Sequence, residues 1–159
     1  MGWFSKKKSK AKNSILIAVV IAASYSGFNF GSRSISHLYE VCPPLIQVSE
    51  CAIKETTVDF MIIDGMRTDA EHAANIAKGV SWVKRSLHQD GLAIDFVAIV
   101  NGEISWNPDH YLPVVDAYKK CGVKLDIPIV AGADWRAKDY GHIELKNRVC
   151  FPKDKIKSI

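Results

Sequence analysis

Several features are missing from this sequence, and each omission excludes something. No two of the four cysteines stand in Cys-x-x-Cys spacing, which excludes a structural zinc knuckle. There is no internal repeat, so a solenoid or propeller is excluded. Residues 30–150 hold no linker-like stretch, so they read as one domain. Basic surplus is also missing from the body of the chain. Residues 1–12 carry five lysines and no acid, and residues 146–159 carry a net +4. Of the overall +4, that leaves residues 13–145 at −5. A nucleic-acid face needs basic residues on the folded surface, so no nucleic-acid partner is expected. Apolar residues make up 48% and charged residues 24% of the 159, which excludes both a disordered chain and a multi-pass membrane protein.

Charge is absent again from Asn13 to Ser32, a run of 20 residues that includes the apolar stretch Ile15–Ala23. As a helix it would measure about 30 Å, the thickness of a hydrocarbon core. Three readings stay open: a signal anchor, a cleaved signal peptide read at Ala22-Ala23-Ser24 or Ser24-Tyr25-Ser26, or a buried helix behind a basic tail. In the first two the lysines stay inside. The rest is exported to the periplasm or cell wall, tethered or not to the inner membrane through residues 13–31. The chain then divides into a delivery segment 1–29, a domain 30–150 and a basic tail 151–159. Cys42, Cys51, Cys121 and Cys150 fit an oxidising compartment. Cys42 and Cys51 are near enough in sequence to suggest one pair, and buried free thiols are the alternative.

The body alternates helix and strand signals. Helices are expected over 34–41, from Pro43-Pro44 onward, from Thr68 to a stop at Gly79, and from Asn107-Pro108 to a stop at Gly122. Strands are expected over 58–63, 92–100, 103–106, 127–130 and 142–145. The fold class is therefore α+β, with an antiparallel or mixed sheet and packed helices, preceded by an N-terminal hydrophobic helix.

Chemistry-bearing residues fall into two clusters, Ser86-x-His88-x-x-Gly91-x-Ala93-x-Asp95 and Asp139-x-x-His142-x-Glu144. Strand alternation puts Ala93, Asp95 and Val97 on one face. An aspartate among such neighbours is costly unless partnered, and a metal ion offsets that cost. Two histidines and one carboxylate make a three-ligand site with a fourth position for water. Asp139 is then the candidate general base. His37, His72 and His110 read as surface residues. Asp64 and Asp134 read as turn or capping residues, and Trp135 as core packing. Trp82 and Trp106 stay open as groove residues, and Glu144 is a secondary candidate for the site.

These motifs resemble the zinc peptidases that cut bacterial cell-wall peptides, and most closely the phage L-alanyl-D-glutamate endolysins among them. Phe30-Gly31-Ser32-Arg33, Asp64-Gly65-Met66-Arg67-Thr68 and Gly132-Ala133-Asp134-Trp135 extend the similarity over residues 30–145. The resemblance implies a hedgehog/D,D-peptidase fold and a zinc ion held by His88, Asp95 and His142. It also implies Asp139 as acid/base, Arg67 as a catalytic or substrate-binding cation, and Ser86 as a substrate contact or a support for the zinc loop. The implied substrate is the peptidoglycan stem peptide, cut between L-alanine and D-glutamate. A D,D-carboxypeptidase and a non-catalytic wall-binding module are the alternatives, and a monomer is the working assumption. Gly141, Ile143 and Ala133 depart from the residues usual in relatives, but none of them is a ligand.

Overall fold

The computed structural model describes residues 27–150. The expected N-terminal hydrophobic helix up to residue 26, with that part of the expected membrane contact 13–31, and the tail 151–159 therefore lie outside the described residues, whereas Phe28 and Phe30 pack against the core. Among the described residues no helix is long and apolar enough to cross a membrane.

Local sequence chemistry sets each element. Helix α1 runs Ser32–Leu38, and α2 runs Pro43–Glu55 with its prolines in the first turn, where a missing N–H costs nothing. Strand β1 is Asp59–Asp64. Helix α3, Asp69–Ala77, opens with a reciprocal cap in which Thr68 and Glu71 bond each other's backbone N–H. A 3-10 turn over Leu87–Asp90 leads into β2, Ala93–Val100. The short β3, Glu103–Ser105, follows. Helix α4 runs Pro108–Lys124, capped by the Asn107 side chain, and β4 (Ile129–Ala131) and β5 (His142–Leu145) complete the elements of the described residues. Helix α4 thus continues past the expected stop at Gly122. That glycine serves packing, because a Cβ there would stand 2.9 Å from the Ile127 carbonyl oxygen.

All strand pairs are antiparallel, in the order β1-β2-β5-β4, with β3 also on β2. Strand β2 is the spine. One edge carries β1, and the other carries β5 along its first half and β3 along its second. Ile94, Phe96 and Ala98 turn to the core with Phe60, Ile62 and Ile143, where α2 and α4 supply Leu45, Val48, Val114 and Tyr118. The rings of Phe60, Phe96 and Tyr118 lie 5.3–5.9 Å apart, in the range where aromatic pairs attract. The buried Tyr118 hydroxyl donates to Ser49 Oγ at 3.1 Å, so this polar atom does not burden the core.

The cysteines pair differently from the expectation. Cys42 bonds Cys150 and Cys51 bonds Cys121. Cys42 caps α2 and Cys51 lies nine residues along it, a rise of about 13 Å. A disulfide spans Cα atoms no more than about 7 Å apart. The Cys51–Cys121 bond instead ties α2 to α4 over the core. Replacing both Cys51 and Cys121 by alanine should lower unfolding stability by about 2–5 kcal/mol, measured by denaturant titration of the oxidised proteins. An unchanged midpoint would remove the disulfide from the account of stability.

Candidate active site

Register brings the site together. Across three neighbouring strands, Asp64 of β1, Asp95 of β2 and His142 of β5 stand side by side. A bulge between Ile62 and Asp64 makes this possible. Without it Ile63 would oppose Asp95, and Asp64 would turn to the core face.

His88 arrives from the turn before β2. The Ser86 hydroxyl accepts from the His88 backbone N–H at 3.4 Å, and Gln89 bonds back to Ser86 N. Ser86 is thus placed as a cap for the turn that carries His88. His88 Nδ1 lies 2.8 Å from the Gly65 carbonyl. A carbonyl only accepts, so Nδ1 carries the proton and Nε2 is left facing Asp95 Oδ2 at 3.4 Å. On the opposite side, His142 Nδ1 is 2.9 Å from Asp95 Oδ1, while its Nε2 is 3.3 Å from Glu144 Oε2. One ligand atom from each of His88, Asp95 and His142 falls within 4.8 Å of the others. Each imidazole is held from behind and offers its other nitrogen inward. That arrangement can hold a divalent metal ion.

Charge is concentrated here. Burial opposes ionisation of Asp95, but its hydrogen bond with His142 and the nearby His88 imidazole prevail and hold its carboxyl well below the usual carboxylate range. Burial pulls His142 down, yet its bonds to Asp95 and Glu144 and the nearby acidic charge push it up to about 9. Asp139 moves the other way from Asp95. Burial, and then the negative charge of Asp95, raise its carboxyl. Its backbone is fixed, with its N–H donating to the Gly132 carbonyl at 3.1 Å and its carbonyl accepting from His142 N at 3.3 Å. A Cβ on Gly132 would stand 2.5 Å from that Asp139 carbonyl and 3.0 Å from the His142 Cβ, so only glycine fits.

Arg67 stands next to this group, largely buried. Its guanidinium is gripped by Asp64, with Nε at 3.1 Å from Oδ2, and reaches Asp95 Oδ2 at 3.7 Å. A cleft of about 310 Å³ opens beside Asp95 and Asp139, walled by Ile63, Trp106, Pro108, Tyr111 and Tyr140.

Some residues lie elsewhere than expected. Asp64 is no mere turn residue, since it holds Arg67. The Asp64-x-x-Arg67 spacing was the available signal. Trp135 is 38% exposed, with its ring 5.0 Å from that of His142, because the 132–141 loop runs over the site and not into the core. His72 is buried, since the chain after α3 folds back and sets the Val83 carbonyl 3.0 Å from its Nε2. His110 bonds Ser105 Oγ at 2.7 Å, and Asp134 pairs with Lys119 on the surface. Trp82 is exposed, while Trp106 borders the cleft.

The family model for phage L-alanyl-D-glutamate peptidase matches residues 26–154. The chain belongs to that family. It is 40% identical over 123 residues to the L-alanyl-D-glutamate peptidase of Escherichia phage T5, covering 75% of this chain and 90% of the relative. The crystal structure of the Serratia marcescens L-Ala D-Glu endopeptidase ChiX superposes with a TM-score of 0.71 at 29% identity, covering 80% of this chain and 97% of that one. Gly141 is closely packed in this structure. A Cβ there would sit 2.5 Å from the Phe96 carbonyl oxygen.

A metal ion entering between the two histidines must displace the proton that His142 holds up to about pH 9. Metal affinity of the apoprotein should therefore climb as pH rises toward 9 and level off above it. Calorimetric titration in buffers of different ionisation enthalpy should show proton release, and a pH-independent affinity would contradict the His142 geometry.

Proposed function

We propose that this chain is a zinc-dependent endopeptidase that hydrolyses the peptidoglycan stem peptide between L-alanine and D-glutamate, with the hedgehog/D,D-peptidase fold expected of such enzymes. The observation that carries the reading is the inward-facing His88–Asp95–His142 group beside a cleft lined by Asp139. Membership of a peptidase family supports it, and so do the two relatives whose names state this bond.

Two imidazoles and a carboxylate suit zinc, a borderline-soft cation that tolerates nitrogen and oxygen together. When bound, zinc lowers the pKa of water and polarises a carbonyl. The remaining work belongs to the chain. Asp139 takes a proton from the attacking water and delivers it to the departing amine nitrogen. Its raised carboxyl suits both tasks, because a group that titrates nearer neutrality accepts and donates more evenly. Arg67 is held by Asp64 and sets a positive charge beside Asp95. There it can bind a substrate carboxylate or share the charge that develops on the scissile carbonyl oxygen. Ser86 keeps His88 in place through the turn it caps.

Asp139→Asn should cut turnover by about 10²–10⁴-fold while zinc stays bound. His88→Ala should lose both zinc and activity. Mass spectrometry of digested muropeptides, with and without chelator, reads the outcome. Release of the stem peptide from its first alanine supports the endopeptidase. Loss of only the terminal D-alanine would reassign the enzyme as a D,D-carboxypeptidase. Full activity of Asp139→Asn would remove Asp139 from the mechanism, and no cleavage with zinc bound would favour a wall-binding module.

The two disulfides support export to an oxidising compartment, in keeping with the basic and apolar start of the sequence. N-terminal sequencing of the exported protein should find either a start near Ser24–Ser26, a cleaved signal, or an intact Met1, an anchor. Recovery only from the cytoplasm with four free thiols would refute export.

A further inference from the structure

We propose that Glu144 is a positioning residue for the metal centre, accepting the Nε2–H of His142 so that Nδ1 is presented to the ion. This rests on the zinc reading above and extends it to a residue outside the ligand set.

Glu144 follows His142 by two positions on β5 and so shares its face. Its Oε2 stands 3.3 Å from His142 Nε2. The Glu144 side chain is 12% exposed, and its cross-strand neighbours are Ala93 on β2 and Val130 on β4. A carboxylate in such apolar company is costly unless partnered. One partner is Arg148, at 4.0 Å with a side chain 68% exposed, which makes a weak and well-screened pair. The nearer and more enclosed partner is His142.

The two ligand histidines are therefore supported differently. His88 leans on the neutral Gly65 carbonyl, which fixes its tautomer and little else. His142 leans on a carboxylate, which fixes the tautomer and also makes the imidazole a stronger donor. Glu144 does not line the cleft beside Asp95 and Asp139, so it meets His142 without occupying that space.

The test uses the full chain with its disulfides intact and zinc as the probe. Zinc dissociation constants come from competition with a chromophoric chelator. Glu144→Ala should bind zinc about 10–100-fold more weakly than wild type. Glu144→Gln keeps an acceptor oxygen of the same reach but not the charge, and should fall between the two. Cobalt substituted for zinc should show a shifted visible spectrum in Glu144→Ala. At saturating zinc, kcat should fall while KM for a muropeptide holds. Wild-type affinity and an unshifted cobalt spectrum in folded Glu144→Ala would overturn the proposal, leaving Glu144 a role in stability alone. If the alanine variant does not fold, the glutamine variant decides, and unchanged affinity there also overturns it. Failure of wild type to bind zinc, or zinc retained by His88→Ala, would instead sink the metal reading itself.

Discussion

Everything chemical in this molecule depends on the antiparallel register at Asp95. That residue has Asp64 opposite it on one edge and His142 on the other. One carboxylate therefore meets a histidine directly, while the neighbouring acid anchors Arg67. Strand pairing tolerates no partial slip, because a shift of one residue turns every side chain to the other face. The bulge after Ile62 is the single departure from regular pairing in β1, and it turns an acid toward the site and away from the core.

The loops complete what the sheet begins. His88 comes from a turn closed by its own side-chain cap, and Asp139 from a loop whose backbone bonds to Gly132. Both segments are irregular, yet each is fixed by hydrogen bonds to a rigid neighbour. The aromatic core under β2 makes that rigidity useful. Phe96 packs with Tyr118 and Tyr111 beneath the strand, so Asp95 stands on a floor that cannot readily give.

Much of this was legible in the sequence. Strand alternation from Ala93 to Val97 placed Asp95 off the core face, and the proline and threonine caps located α2, α3 and α4. What could not be read was pairing between distant segments. Nothing in the spacing of Cys42 and Cys51 shows that their partners are more than 60 residues away. Gly122 looked like a helix stop, because a glycine that permits close approach and one that permits a turn are the same letter. Trp135 is a similar case. An aromatic beside an aspartate carries no mark of whether its loop dives inward or crosses a histidine. The link from Glu144 to His142 was present as a two-residue alternation, but its weight came only with the 3.3 Å contact.

The Cys42–Cys150 bond, spanning a sequence separation of 108, closes a covalent ring that contains every candidate site residue. Cys42 also donates its backbone N–H to Gly91, at the end of the turn that carries His88. With this ring closed, one cut anywhere between its two cysteines opens a loop but releases no fragment, and both histidines stay on the same molecule.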